Sequence, residues 1–427
     1  MRDTCIIGAG PAGLAAARAL KERNLPYTHI ERNPGVGGLW DIDAPNTPMY
    51  ESAHFISSKT LSGLTDFPMP DDYPDYPSHK QIHAYLVAFA EHYGLTQAIE
   101  FNTAVESVVK LDDGGYRVTR ANGEVSEHEN VIVASGVQWD PNVPDIPGTF
   151  TGEVRHTVTY RSPKEFEGKR VLVVGAGNSG CDIACDAARN AEHAVISVRR
   201  GYWFIPKHIF GMPADVFADG GPTMPMWLEQ RVFGWMLRLL NGDMRRLGLP
   251  KPDHKLFETH PILNTQLLHH LQHGDITARP AIATTEGNTV TFTDGSTEDV
   301  DLIMLATGYR HSVAYAQDLA GPKQHPDLYL TAFSPSTGLY GVGFVETNGA
   351  AYVLMSQLSA MIASHIADRT ERPEKWAEFE DRIQNDRPDL SHGIKFVDSP
   401  RHQGYVDGVA ITKYIKKTAK QMAWDVP

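Results

Sequence analysis

The sequence carries one glycine pattern twice, GAGPAG at 8–13 and GAGNSG at 175–180, and each copy follows a short apolar run. Gly8 and Gly175 allow a tight turn, Gly10 and Gly177 let a diphosphate approach the backbone, and Gly13 and Gly180 let a helix pack closely on its strand. The free N–H groups of the following helix would then face the phosphates. Hydrophobic spacing extends each loop into a strand–helix–strand unit: strand 4–7, helix 11–23 and a strand ending at Glu31, then strand 171–174, helix 179–191 and strand 194–198. The expected fold class is α/β with two Rossmann-like dinucleotide-binding domains.

The two units differ at the end of their second strands. Glu31 is an acceptor for a free ribose hydroxyl and would repel a 2′-phosphate, whereas Arg199 and Arg200 offer charge-assisted bonds to phosphate oxygens. The first site is therefore expected to hold FAD and the second NADPH. Two such cofactors imply a relay, because a nicotinamide delivers a hydride that a flavin can pass to oxygen, a disulfide or a carrier. No CxxC pair is present, which leaves oxygen or a carrier protein.

With 427 residues the chain suits two domains of ordinary size. Its 39 basic against 52 acidic residues give a net charge of −13, which argues against nucleic acid as a partner and for a small-molecule substrate. Three cysteines make no disulfide framework, and the triplet His269, His270 and His273 reads as a solvated helix face, so no metal is expected. The N-terminus runs straight into a strand without a basic leader, and no apolar run is long enough for a transmembrane segment, so a cytoplasmic location is expected. Residues 226–240 form an amphipathic pattern, read as a helix packed on its own domain or on a partner subunit rather than on a membrane; homodimerisation stays open. The proline-rich exit PNVPDIPG suits a boundary, and a second should lie near 299–301. The expected organisation is a first part of the FAD-binding domain at 1–162, an NADPH-binding domain at 163–301 inserted in it, and a second part of the FAD-binding domain at 302–427. A long helix near 352–366 is expected to cover the first domain.

Within FTGEVRHTVTY, the pattern of Phe150, Gly152, His156 and Tyr160 resembles the fingerprint of the class B flavoprotein monooxygenases. Tyr160, where Baeyer-Villiger relatives tend to carry tryptophan, is similar to the flavin-containing monooxygenase branch. GVGGLW, DFPMP, GNSGCDIA, VRRGYWFIPK and LATGY agree, so the resemblance covers nearly the whole chain. It implies FAD contacts at Gly8, Gly10, Gly13, Glu31, Gly38, Leu39 and Trp40, with adenine near Val105. It implies NADPH contacts at Tyr160, Asn178, Ser179, Arg199 and Arg200. Phe150, Gly152 and His156 would be linker elements or plain hinge packing, and His156 is not assigned as a general base.

The implied activity is oxygenation of a small amine or sulfide through a flavin C4a-hydroperoxide. One position departs from the family pattern: aligning Tyr50, Ser52, Lys59 and Asp66 with YxSxxSNxxKE puts Ile56 where an asparagine usually supports the oxygenated flavin. If the segment is extended, side chains alternate and Ser58 replaces that donor; if it turns, Ser57 is as good a candidate. The alternatives are an NADPH oxidase releasing hydrogen peroxide, a Baeyer-Villiger-type or decarboxylating enzyme, and a flavin sensor without turnover.

Overall fold

The computed structural model describes residues 3–45, 47–221, 224–319, 326–399, 402 and 404–427. The chain forms two compact units, one made of 1–47, 59–140 and 310–427, the other of 48–58 and 141–309.

In the first unit, β1 (Thr4–Ile7) leads through the glycine loop into α1 (Pro11–Glu22) and returns as β2 (Tyr27–Ile30). All four residues of β1 are buried, as an apolar run must be when helices or loops cover both faces of a parallel sheet. The sheet runs Leu339–Gly341, Asn130–Val133, β1, β2, Ile99–Glu100, with every pairing parallel. Cys5, Ile7, Ile30, Val131, Val133 and Leu339 form part of its core. Pro11 opens α1 where its missing N–H costs nothing, and the alanine-rich face lies against the long helix Ala351–Glu371. Leu14 and Leu20 are fully buried there, each contributing roughly 1.5–3 kcal/mol through removal from water.

The second unit repeats the grammar with β3 (Arg170–Val174), α2 (Asn178–Asn190) and β4 (His193–Ser197). Its parallel sheet runs Glu153–His156, Leu302–Leu305, β3, β4, Thr277–Arg279.

Two expectations change here. Leu302–Leu305 does not start the return to the first sheet; it lies between β3 and Glu153–His156, pairing in parallel with both, and all four of its residues are buried. The first sheet is rejoined only by Leu339–Gly341. The units accordingly divide at 140/141 and 309/310 rather than at 162/163 and 301/302. Residues Gly148–Phe150 and Glu153–His156 both pair with strands of the second unit, so the proline-rich exit is the effective boundary.

The amphipathic segment is α3 (Met226–Asn241), and it buries only Gly234 and Leu237. Trp227 is 60% and Trp235 67% exposed, so packing on its own unit accounts for little of its apolar face. No described helix is long and apolar enough to cross a membrane.

Candidate functional site

The first glycine loop is shaped by close backbone contacts. Gly8 has φ +107°, and a Cβ there would lie 2.6 Å from the Ala134 carbonyl oxygen; a Cβ on Gly13 would lie 1.7 Å from the Gly8 oxygen. Both positions exclude any side chain. Gly10 instead faces Gly38, with its would-be Cβ 3.5 Å from the Gly38 Cα, and the Gly37 amide donates to the Ala9 carbonyl at 3.0 Å. GVGGLW is thus tied to GAGPAG, with glycine against glycine, leaving bare backbone where a diphosphate would run. His29 completes the frame: its Nε2–H donates to the Gly8 carbonyl at 2.9 Å, and burial pushes its pKa down to about 4, so the ring is neutral.

Glu31 follows β2, is 4% exposed, and accepts from the Ala9 amide at 2.6 Å and the Asn33 amide at 2.7 Å. Each oxygen keeps a lone pair, so the carboxylate is oriented by the loop and still able to accept a hydroxyl. Leu39 and Trp40 are half-buried in the turn Gly38–Trp40; the Leu39 carbonyl accepts from Thr47 and Trp40 is hydrogen-bonded to Tyr352. Val105 begins a separate antiparallel sheet, paired with Arg120.

In the second loop Gly175 repeats φ +107° with a would-be Cβ 2.6 Å from the Ala306 oxygen, and Gly180 closes on the Gly175 oxygen at 2.1 Å. A Cβ on Gly177 would meet nothing within 4 Å, so open space stands before the N-terminus of α2. Asn178 opens that helix with a buried Oδ1 that has no hydrogen-bond partner among the described residues, and Ser179 follows, bonded to Tyr50. An open glycine, an orphaned acceptor and a helix N-terminus fit a bound dinucleotide phosphate and its ribose. Beyond β4, Arg199 is exposed and makes no ion pair among the described residues, while Arg200 pairs with Asp253 at 2.8 Å.

The fingerprint residues serve the second unit. Phe150 packs on the core of Leu172, Val290 and Phe292. A Cβ on Gly152 would lie 2.6 Å from the Asp301 oxygen. His156 donates from Nε2 to the Gly308 carbonyl at 3.0 Å and accepts the Val158 amide at Nδ1, and burial lowers its pKa; both nitrogens are committed in the neutral ring. Tyr160 is fully buried, stacked 4.9 Å from Phe166, and its hydroxyl donates to Asp186 at 2.9 Å. It supports α2 from behind instead of reaching a nucleotide directly.

Ser57 and Ser58 lie in the 48–58 segment of the second unit. Ile56 is 39% exposed while Ser58 is fully buried, so the two do not share a face: the chain bends at Ile56 and Ser57, which breaks the alternation of an extended strand. Ser57 is half-buried. The Ser58 amide donates to Asp215 at 2.7 Å, and its Oγ has no partner among the described residues.

Residues not singled out in the sequence hold this segment. Asp182 and Asp186 stand one turn apart on α2; Tyr50 donates to Asp182 at 3.2 Å, and Ser52 to Asp186. Asn264 donates to the other Asp182 oxygen at 2.9 Å. Burial raises the Asp182 pKa to about 6 and also raises that of Asp186, while burial lowers that of Lys207, opposed by Asp182. Two acids on the buried face of an otherwise small-residue helix were the available signal.

Two parallel sheets, each with a glycine loop at a helix N-terminus, define a mixed α/β fold. The flavin-binding monooxygenase-like family model matches residues 1–383, and the chain belongs to that family of enzymes. It is similar to mouse flavin-containing monooxygenase 5, at 30% identity over 94% of this chain and 80% of the relative. It is also similar to indole-3-pyruvate monooxygenase YUCCA1 of Oryza sativa subsp. japonica, at 33% over 80% and 86%. Among solved structures it resembles an oxidized steroid monooxygenase bound to NADP, with TM-score 0.74 and 20% identity over 98% of each chain. The S-allyl-L-cysteine S-oxygenase of Allium sativum matches at TM-score 0.68 and 20% identity, over 100% of this chain and 89% of that one.

Proposed function

We propose that this protein is an FAD- and NADPH-dependent monooxygenase that places one oxygen atom on a small amine or sulfide. The carrying observation is the pair of loops: one ends at an oriented Glu31, the other opens on Gly177 and Asn178 and ends at Arg199 and Arg200. In this reading the first unit binds FAD through Gly8, Gly10, Gly13, Glu31, Gly38, Leu39 and Trp40. The second binds NADPH through Gly175, Gly177, Asn178, Ser179, Gly180, Arg199 and Arg200, with Tyr160 supporting α2. The flavin supplies hydride acceptance and oxygen activation when bound; the chain's own residues orient the phosphates and fix the ribose ends.

Ser57 and Ser58 are proposed as donors near the reacting oxygen, Ser58 from a buried Oγ. A sulfide substrate is supported by the likeness to the S-allyl-L-cysteine S-oxygenase of Allium sativum. A second reading, partial NADPH oxidase behaviour, is favoured by Ile56, which donates no hydrogen bond. Buried free cysteines Cys5, Cys181 and Cys185 fit a reducing cytoplasm, which we also propose. The test is a substrate panel in which NADPH consumption, peroxide and oxygenated product are followed together. Product matching NADPH with an amine or sulfide is expected; NADPH loss matched by peroxide across the panel would refute oxygenation.

A further inference from the structure

Arg200 is held at its Nε by Asp253 Oδ1 at 2.8 Å, and Asp253 is itself held from behind. The same Oδ1 accepts from Nδ1 of His254 at 2.8 Å, a side chain only 2% exposed. His254 Nε2 in turn accepts the hydroxyl of buried Thr259 at 2.8 Å, and its carbonyl accepts the Trp203 indole N–H at 3.0 Å. One neutral tautomer satisfies both ring bonds. The segment carrying these residues is pressed on the chain next to Arg200: a Cβ on Gly201 would lie 2.4 Å from the Lys251 carbonyl carbon and from the Pro250 oxygen. Thr259, His254 and Asp253 therefore form a ladder running from the interior to a surface arginine.

We infer that Asp253 is a positioning residue for coenzyme choice, orienting the Arg200 guanidinium so that its two terminal nitrogens receive the 2′-phosphate of NADPH. The ladder supplies what an isolated surface ion pair lacks, a carboxylate whose own place is fixed by buried partners. Engaging Nε leaves both Nη groups for a forked contact with phosphate oxygens. Asp253 also brings negative charge toward a phosphate, but hydrogen bonds from His254 and Arg200 already hold it below the usual carboxylate range, and it stands 61% exposed, where water screens it. Lys251, exposed on the same loop, adds a cation.

This inference rests on the NADPH reading, and the experiment separates their failures. Flavin-loaded protein is titrated calorimetrically with 2′,5′-ADP and with 5′-AMP, in parallel with KM measurements for NADPH and NADH. The unmodified enzyme should prefer 2′,5′-ADP at least tenfold. Asp253→Ala should cut that preference about tenfold and raise KM for NADPH, leaving kcat and the KM for NADH unchanged, with partial recovery in Asp253→Glu. An unchanged preference in Asp253→Ala would overturn the positioning role, and a strengthened one would make Asp253 a rival anion for Arg200. No preference in the unmodified enzyme would remove the NADPH reading itself.

Discussion

At the scale of single residues, the glycines of the first loop separate into two physical roles. Gly8 and Gly13 are closed by backbone at 2.6 Å and 1.7 Å, so substitution there should damage folding. Gly10 has ordinary clearance from Gly38 and should tolerate a methyl in the fold, while a branched side chain occupies the space a diphosphate needs. Gly10→Val is expected to yield folded protein without bound flavin, checked by circular dichroism together with the visible absorbance of the purified protein. Yellow Gly10→Val protein would contradict this geometry. Arg199, which makes no ion pair among the described residues, should lose about 2 kcal/mol of NADPH binding on change to alanine, roughly 30-fold in kcat/KM, with NADH little affected.

On the proposed reading, Ile56 and Ser58 set how tightly NADPH use is coupled to oxygenation. Ile56 can exclude water but cannot donate, and the bend at Ser57 turns Ser58 away from it into the interior of its unit. Peroxide release without substrate is expected from the unmodified enzyme, falling in Ile56→Asn. Ser58→Ala should increase it. A peroxide-to-NADPH ratio that does not respond to either change would mean that neither position acts on the oxygen chemistry.

At the scale of elements, α2 is both the helix that follows the second glycine loop and the support of the 48–58 segment. Its Asp182 has a folded-state pKa raised by burial to about 6, above the ordinary value near 3.8. The folded form thus holds the proton more tightly, and this group's contribution to stability is largest at low pH and falls as pH rises from about 4 to 6. Asp182→Asn should remove that slope. Relative to the unmodified protein, its thermal unfolding midpoint should improve steadily across this window, whatever constant offset the loss of charge opposite Lys207 introduces. Parallel pH curves for the two proteins would show that Asp182 titrates normally. The sequence could announce the strands, helices and glycine loops of both units because those are local demands of backbone geometry and apolar spacing. It could announce Glu31, Arg199 and Arg200 for the same reason, through their place after a strand. Tyr50 and Ser52 reach Asp182 and Asp186 from 132 and 134 residues earlier, and the buried Ser58 is held through its amide by Asp215; no local pattern carries such pairings. The placement of Leu302–Leu305 was missed because an apolar strand fits either sheet equally well.

At the scale of the whole molecule, each unit owns a core: Val131, Val133 and Leu339 in one, Leu172, Ile303 and Phe292 in the other. Separate cores, with the separate ligands proposed above, should unfold as separable steps. Calorimetric scans are expected to resolve two transitions, with added NADP⁺ raising one selectively, since a ligand stabilises the part that binds it. A single transition shifted whole by NADP⁺ would show that the units melt together.

The chain changes units at 47/48, 58/59, 140/141 and 309/310, so neither unit is an uninterrupted stretch of gene. A fragment spanning 141–309 would keep its sheet but lose Tyr50 and Ser52, leaving two interior carboxylates with one donor each, Asn264 on Asp182 and Tyr160 on Asp186. The short excursion at 48–58 thus makes the second unit hard to inherit, swap or express alone. Recombination that exchanged this unit between relatives would have to carry the eleven-residue piece with it, or re-evolve the helix that it satisfies.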